Sequence, residues 1–95
     1  MYMNYDEALN TVINIITDAL DGESKINENV HLIGVEAILD SMKLVEVCLA
    51  LEDIGEDEGF DFDWTSEAAM SKSQSIFRTV KSLAEEFSAQ SKKVN

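Results

Sequence analysis

The chain has 95 residues, of which 45% are hydrophobic, and its formal net charge at pH 7 is −12. This length predicts a single domain over residues 1–95 with one modest core. The excess of acidic residues opposes binding to nucleic acid and to anionic membrane surfaces, and it favours partners with basic patches. The single cysteine excludes an internal disulfide and a cysteine-based zinc site.

No stretch approaches the roughly 20 apolar residues that a membrane span needs. The first residues carry neither the basic region nor the apolar run of a signal peptide. We therefore expect a cytoplasmic, monomeric protein that does not insert into a membrane.

A first helix is predicted over residues 5–20. Asn4 or Asp6 can cap it, and Gly22 is expected to stop it in a left-handed conformation. Ile15 lies beside the apolar row and widens it. The row itself has helical spacing and consists of Leu9, Val12, Ile13, Ile16 and Leu20.

A long connection without a clear period follows over residues 22–39. A connection of this length is unusual in so small a domain, so its apolar side chains are expected to enter the core. The only histidine, His31, lies here, and a solitary loop histidine is more often exposed to solvent than catalytic.

The second predicted helix spans residues 41–54 and ends near Gly55. Asp40 and Ser41 are both good N-cap residues. One face with helical spacing is expected to enter the core and consists of Leu44, Val47, Cys48, Leu51 and Ile54. Cys48 is therefore read as a core residue and not as a nucleophile. A second apolar row, available to a partner, consists of Met42, Val45 and Leu49.

The remaining chain predicts an extended loop, a short helix and a final helix. In the loop, Phe60, Phe62 and Trp64 are expected to pack on the helices. The short helix would be capped by Thr65 or Ser66 and reach Met70, and the last helix covers residues 80–90 behind Thr79. Residues from Gln90 onward are expected to fray, which leaves an ordered core of about residues 5–88.

The second helix carries the most specific motif. Asp40-Ser41-Met42, followed by Val45-Glu46 and by Leu49-Ala50-Leu51-Glu52, resembles the Asp-Ser-Leu signature and second helix of acyl carrier proteins. The likeness covers roughly residues 5–88. Met42 stands where that family usually has Leu, and Lys43 where many members have Gly or an acidic residue. Ile38-Leu39 replaces the Gly-Leu or Gly-Phe that often precedes the motif.

The resemblance implies an all-α, acyl-carrier-like bundle of three main helices and one short helix, with a long loop between helices 1 and 2. It implies that a transferase using coenzyme A and Mg²⁺ attaches 4′-phosphopantetheine covalently to Ser41, with Asp40 as part of the attachment motif. Acyl intermediates would then be carried as thioesters on the arm, for fatty-acid, lipid or polyketide-type biosynthesis. The departures from the family pattern suggest a specialised member.

The resemblance also implies a docking surface on the second helix for the phosphopantetheinyl transferase and for acyl-loading, condensing and acyl-transfer enzymes with basic patches. Its residues would be Met42, Val45, Glu46, Leu49, Glu52 and Asp53. A sheltered acyl chain would be lined by Val47, Leu51 and Ile76. The chain itself is expected not to be an enzyme, because no general base is placed beside a nucleophile.

Two other interpretations stay open. The same arm serves aminoacyl and peptidyl carriers, and an unmodified acidic helical module could bind a basic partner through the same surface. The acidic run at residues 56–63 does not match a hand-type calcium loop, so no metal site is predicted.

Overall fold

The computed structural model describes residues 3–22, 25–32, 39–65 and 73–92. Its helices are α1 (Tyr5–Ala19), α2 (Ser41–Glu58), α3 (Ser73–Ile76) and α4 (Val80–Ser91). Over these ranges the only extended pairing is an isolated bridge between His31 and Thr79. The prediction of an all-α bundle with a long connection between its first two helices is therefore confirmed.

The short elements match the prediction less well. The short helix expected up to Met70 falls on residues 66–70, which lie outside the described residues. The single turn α3 was not predicted, because the sequence around it has no helical period.

The first helix begins and ends with local signals that the sequence carries. The Asn4 side chain accepts a hydrogen bond from the Glu7 amide, and the Glu7 carboxylate accepts one from the Asn4 amide. The helix ends at Ala19, one residue earlier than expected, and Gly22 adopts the predicted left-handed conformation with φ +73°.

The core lies where α1 crosses α4 and α2, and α1 packs more extensively on α4 than on α2. Loop residues also contribute, since Leu32 from the first connection is as completely buried as the helical core. The largest fully buried apolar side chains are Val12, Ile16, Leu32, Val47, Leu51, Val80, Leu83 and Phe87.

The aromatic loop packs as predicted. Phe60 and Phe62 lie against Phe87 of α4, with ring centroids 5.2 Å and 5.1 Å apart. The tilted and edge-on arrangements are those that aromatic quadrupoles favour. Trp64 is half-buried against the same core, and its indole Nε1–H has no hydrogen-bond acceptor among the described residues.

The last turn of α4 is ordered by hydrogen bonds to two distant segments. Gln90 accepts from the Asp63 amide and donates to the Asp63 carbonyl, at 2.6 Å and 2.8 Å. The buried hydroxyls of Ser88 and Ser91 hold the Met3 backbone. The expectation that fraying starts at Gln90 was therefore wrong for Gln90 and Ser91. Their polar side chains satisfy main-chain groups that periodicity does not reveal.

The segment over residues 25–32 supplies hydrogen-bond acceptors to the first turn of α4. The carbonyls of Glu28 and Val30 accept hydrogen bonds from the amides of Lys81 and Val80, at 2.9 Å and 3.0 Å. The Glu28 carboxylate accepts a 2.8 Å hydrogen bond from the Tyr5 hydroxyl. Burial and this hydrogen bond raise the pKa of Tyr5 to about 12. The segment thus joins α1 to the first turn of α4.

Candidate functional site

The beginning of α2 is set by Asp40. The backbone of Asp40 is extended, and its Oδ1 accepts a 2.8 Å hydrogen bond from the Lys43 amide. Of the two cap candidates in the sequence, Asp40 is therefore the N-cap and Ser41 is the first helical residue. Leu39 is buried and anchors the chain just before this turn.

The first turn of α2 keeps a backbone amide without an acceptor among the described residues. This is the amide of Met42, since the Asp40 side chain accepts from Lys43. Free amides at a helix start carry partial positive charge and suit an anion such as a phosphodiester. An anionic group on Ser41 would therefore be favoured locally, even on so acidic a protein.

An apolar row continues along α2 from this turn. Met42, Val45 and Leu49 expose 76%, 42% and 49% of their surface. Each follows the previous one by three or four positions, so they form one stripe. This confirms that the domain's own core does not use the row. Of the three predicted acidic docking residues, Glu46 and Asp53 are exposed and Glu52 is half-buried.

The opposite face of α2 is in the core, as predicted. Val47, Cys48 and Leu51 are completely buried. Burial, with a smaller contribution from the Glu52 carboxylate, raises the pKa of the Cys48 thiol to about 12. Such a thiol stays protonated near neutral pH and is a poor nucleophile. His31 is exposed on the 25–32 segment.

The end of α2 differs from the prediction. The helix continues past Gly55 to Glu58 and is ended by Gly59, which has φ +93°. Gly55 serves close packing instead, because a Cβ there would lie 3.0 Å from the Phe60 carbonyl oxygen. The sequence could not distinguish the two glycines, since this contact depends on how the aromatic loop folds back.

Lys43 is the only basic residue in α2. Its ammonium lies 3.5 Å from the Glu46 carboxylate, and the two side chains expose 41% and 58% of their surface. An exposed pair of this kind contributes little to stability, about 0–1 kcal/mol. Both groups are therefore free to interact with a ligand or a partner instead.

Two grooves are lined by described residues, and they involve different helices. The first, of about 290 Å³, separates α1 from α2 and is lined by Ile15, Asp18, Ala19, Glu46, Val47 and Ala50. The second, of about 420 Å³, runs beside α3 and α4 and is lined by Ser75, Ile76, Ser82, Glu85, Glu86 and Ala89.

The three residues that were expected to line one acyl-chain site do not share a groove. Val47 lines the first groove, Ile76 lines the second, and Leu51 is completely buried. The first groove was not predicted, because its shape depends on the packing of α1 against α2. The only sequence signal for it was Ile15, which falls outside the apolar row of α1.

No helix in the described ranges has both the length and the apolar character of a membrane span. The same residues bring together no cluster of three or more His, Cys, Asp or Glu side chains that could hold a metal ion. No family model matches the chain, and no curated protein or solved structure matches it significantly.

Proposed function

We propose that this chain is a carrier protein, modified on Ser41 by a 4′-phosphopantetheine arm whose thiol carries acyl intermediates as thioesters. The cargo would belong to fatty-acid, lipid or polyketide-type biosynthesis. The chain would act as a substrate of partner enzymes and would not catalyse a reaction itself.

The observation that carries the proposal is the position of Ser41. It is the first residue of α2, directly after the Asp40 cap, and the next amide, that of Met42, has no acceptor within the described part of the chain. A phosphodiester at this place would be stabilised by the positive partial charge at the N-terminal end of the helix. The Asp-Ser-Met motif and the helix order support the same function.

The exposed face of α2 supports a role in presenting cargo to enzymes. Met42, Val45 and Leu49 are the large hydrophobic side chains that stand exposed among the described residues. With Glu46 and Asp53 beside them, they would meet a partner that offers apolar pockets rimmed by Arg or Lys. The net charge of −12 opposes pairing of this face with a second copy of the same chain.

The test is the intact mass of the protein after incubation with coenzyme A, Mg²⁺ and a broad-specificity phosphopantetheinyl transferase. We expect a gain of one arm in the native chain and no gain in Ser41→Ala. Ser75→Ala is the matched control, because Ser75 is an exposed serine of α3 that lines the other groove, and it should gain the arm normally.

A second function uses the same face of α2 without modification. The exposed apolar row with its acidic neighbours would also suit an interaction module for a basic partner. A folded chain that gains no mass, beside a positive-control carrier that is fully modified, would contradict the carrier proposal and favour the module. If the arm is attached, loading with acyl or aminoacyl groups would then separate an acyl carrier from an aminoacyl or peptidyl carrier.

A further inference from the structure

Met42 is the most exposed large hydrophobic side chain in the described part of the chain. It exposes 76% of its surface, whereas Met3, the other methionine among the described residues, exposes 5% and belongs to the core. An exposed thioether is open to oxidants in solution, whereas a buried one is protected until the fold opens. The two methionines therefore differ in the property that decides how fast each one oxidises.

The position of Met42 gives such an oxidation a consequence for the proposed function. Met42 directly follows Ser41 and is the first member of the exposed apolar row, which continues with Val45 and Leu49. An enzyme that acts on Ser41 must approach across the next side chain, and a partner that binds the row would bury it. Met42 is not part of the core formed by the described residues. A chemical change at Met42 would therefore alter the docking face and leave the fold intact.

The charges and the thiol of the chain indicate which oxidant reaches Met42. The net charge of −12 repels anionic oxidants, and the neighbouring cation Lys43 is paired with Glu46. A neutral hydroperoxide is not repelled. Cys48 does not compete for it, because this thiol is completely buried and its pKa is raised to about 12, so that little reactive thiolate forms near neutral pH.

We propose that Met42 is an oxidation site, at which a neutral hydroperoxide slows the modification of Ser41 and weakens the docking of partner enzymes. The peroxide O–O bond breaks and an S–O bond forms, so that the sulfur loses the two electrons that the peroxide gains. The proton of the transferred oxygen moves to the oxygen that leaves as water or an alcohol. The resulting sulfoxide is polar and interrupts the apolar row. The effect on docking rests on the proposed carrier function.

The first test locates the oxidation after brief treatment of the native chain with hydrogen peroxide. Trypsin releases residues 26–43 as one peptide, in which Met42 is the only methionine and Ser41 is the proposed attachment residue. We expect Met42 to gain oxygen at least about tenfold faster than Met3, because Met3 is reached only when the fold opens. In urea the two rates should become equal. Equal rates in the folded chain would overturn the inference.

The second test measures attachment of the arm in a partly oxidised sample from which the peroxide has been removed. The sample is incubated with coenzyme A, Mg²⁺ and the transferase, and the peptide over residues 26–43 reports both the oxygen and the arm. We expect the oxidised chain to gain the arm about tenfold more slowly than the unoxidised chain, which corresponds to about 1.4 kcal/mol. The reason is that burying a sulfoxide without a hydrogen bond is unfavourable, whereas burying a thioether is favourable.

Two variants separate the polarity of this position from other effects of peroxide. Leucine is apolar and takes up no oxygen, so Met42→Leu should gain the arm at the native rate before and after treatment. Glutamine is polar and of similar length, so Met42→Gln should gain the arm about as slowly as the oxidised native chain. A loss of rate in peroxide-treated Met42→Leu would assign the effect to another residue and overturn the inference.

Urea unfolding distinguishes an effect on docking from an effect on the fold. Oxidation at Met42 should leave the urea midpoint unchanged, and a shifted midpoint would contradict the inference. If the unoxidised chain gains no arm beside a fully modified positive-control carrier, the carrier function and this inference fail together. If the oxidised chain gains the arm as fast as the unoxidised chain, the inference fails alone.

Discussion

The helices α2 and α4 begin in opposite ways. At the start of α4, Thr79 caps the Ser82 amide, and the carbonyls of the 25–32 segment accept from the two amides before it. At the start of α2, Asp40 caps the equivalent third amide, while nothing in the described ranges accepts from that of Met42. Within the described residues, the start of α4 is therefore bonded more fully than the start of α2.

The difference shows how one kind of helix start can be bonded within the fold in one place and, under the proposed function, hold a modification in another. Both starts use a capping side chain that the sequence predicts. Only the tertiary structure decides whether the other first-turn amides are used internally. The same contrast extends along the helices, since α4 buries Val80, Leu83 and Phe87 while α2 exposes Met42 and Leu49.

The largest difference in stability should come from shortening one leucine to alanine on each helix. Leu83 on α4 is completely buried, so Leu83→Ala should lower the free energy of unfolding by about 2–5 kcal/mol. Leu49 on α2 is half exposed, so Leu49→Ala should change it by less than about 0.5 kcal/mol. Urea unfolding followed by circular dichroism measures both. Similar losses in the two variants would mean that the exposed row supports the fold.

The next effect concerns the far end of α4. Gln90→Leu removes the two hydrogen bonds to the Asp63 backbone and one to Glu86. We expect the free energy of unfolding to fall by about 1–2 kcal/mol, because partly buried main-chain groups of Asp63 lose these two hydrogen bonds. Glu85→Gln, at an exposed position on the same helix, is the control and should have almost no effect. Unchanged stability in Gln90→Leu would show that this turn is not needed to hold the aromatic loop.

Removing the two caps sharpens the comparison of the helix starts. Thr79→Ala should lower the free energy of unfolding by about 1–2 kcal/mol, and Asp40→Ala should lower it by about 0.5–1 kcal/mol. The loss should be larger at Thr79 because only this cap belongs to a helix start whose other amides are also hydrogen-bonded within the described residues. Asp40→Asn keeps a capping oxygen and should restore most of the loss. Thermal unfolding of the native chain and the three variants provides the measurement. A larger loss in Asp40→Ala than in Thr79→Ala would contradict the conclusion that the start of α4 is bonded more fully.

A further effect, which no substitution is needed to produce, is a loss of stability in alkaline solution. The pKa of Tyr5 and that of Cys48 are raised to about 12 in the folded chain, from ordinary values of 10.0 and 9.0. A raised pKa stabilises the fold fully below the unfolded value and loses that contribution as pH rises toward the folded value. The free energy of unfolding should therefore fall by about 1 kcal/mol between pH 7 and pH 9.5.

Two variants identify the groups responsible for the alkaline loss. Cys48→Ala should remove most of the decrease up to pH 9.5, and Tyr5→Phe should remove a further part above pH 10. Urea unfolding at a series of pH values measures each slope. An unchanged slope in Cys48→Ala would rule out the thiol as the titrating group.

Helix positions and caps could be predicted from the sequence because they depend on neighbouring residues. The spacing of Val47, Cys48 and Leu51 predicted a buried face, and that of Met42, Val45 and Leu49 predicted a free one. Thr79 was recognised as a cap from residue type and position, and Asn4 was one of two cap candidates for α1 beside Asp6. These signals lie within a few residues of the structure that they determine.

Features that join distant segments could not be predicted in the same way. The role of Gln90 depends on Asp63, which is 27 residues away, and the groove depends on α1 meeting α2. The prediction that α2 ends near Gly55 was wrong, because the sequence does not show that this glycine packs closely against Phe60. The attachment of an arm to Ser41 is a proposal from the motif, and only chemistry can test it.

The hydrogen bonds between Met3 and the end of α4 have a consequence for synthesis of the chain. Ser88 and Ser91 lie 85 and 88 positions after Met3, so these bonds close the longest loops in the described structure. The helix α1 also packs more on α4 than on α2. On the ribosome, the apolar face of α1 is therefore fully covered only after α4 has emerged. A chain that is cut short before Ser88 would leave that face open to aggregation or to chaperones.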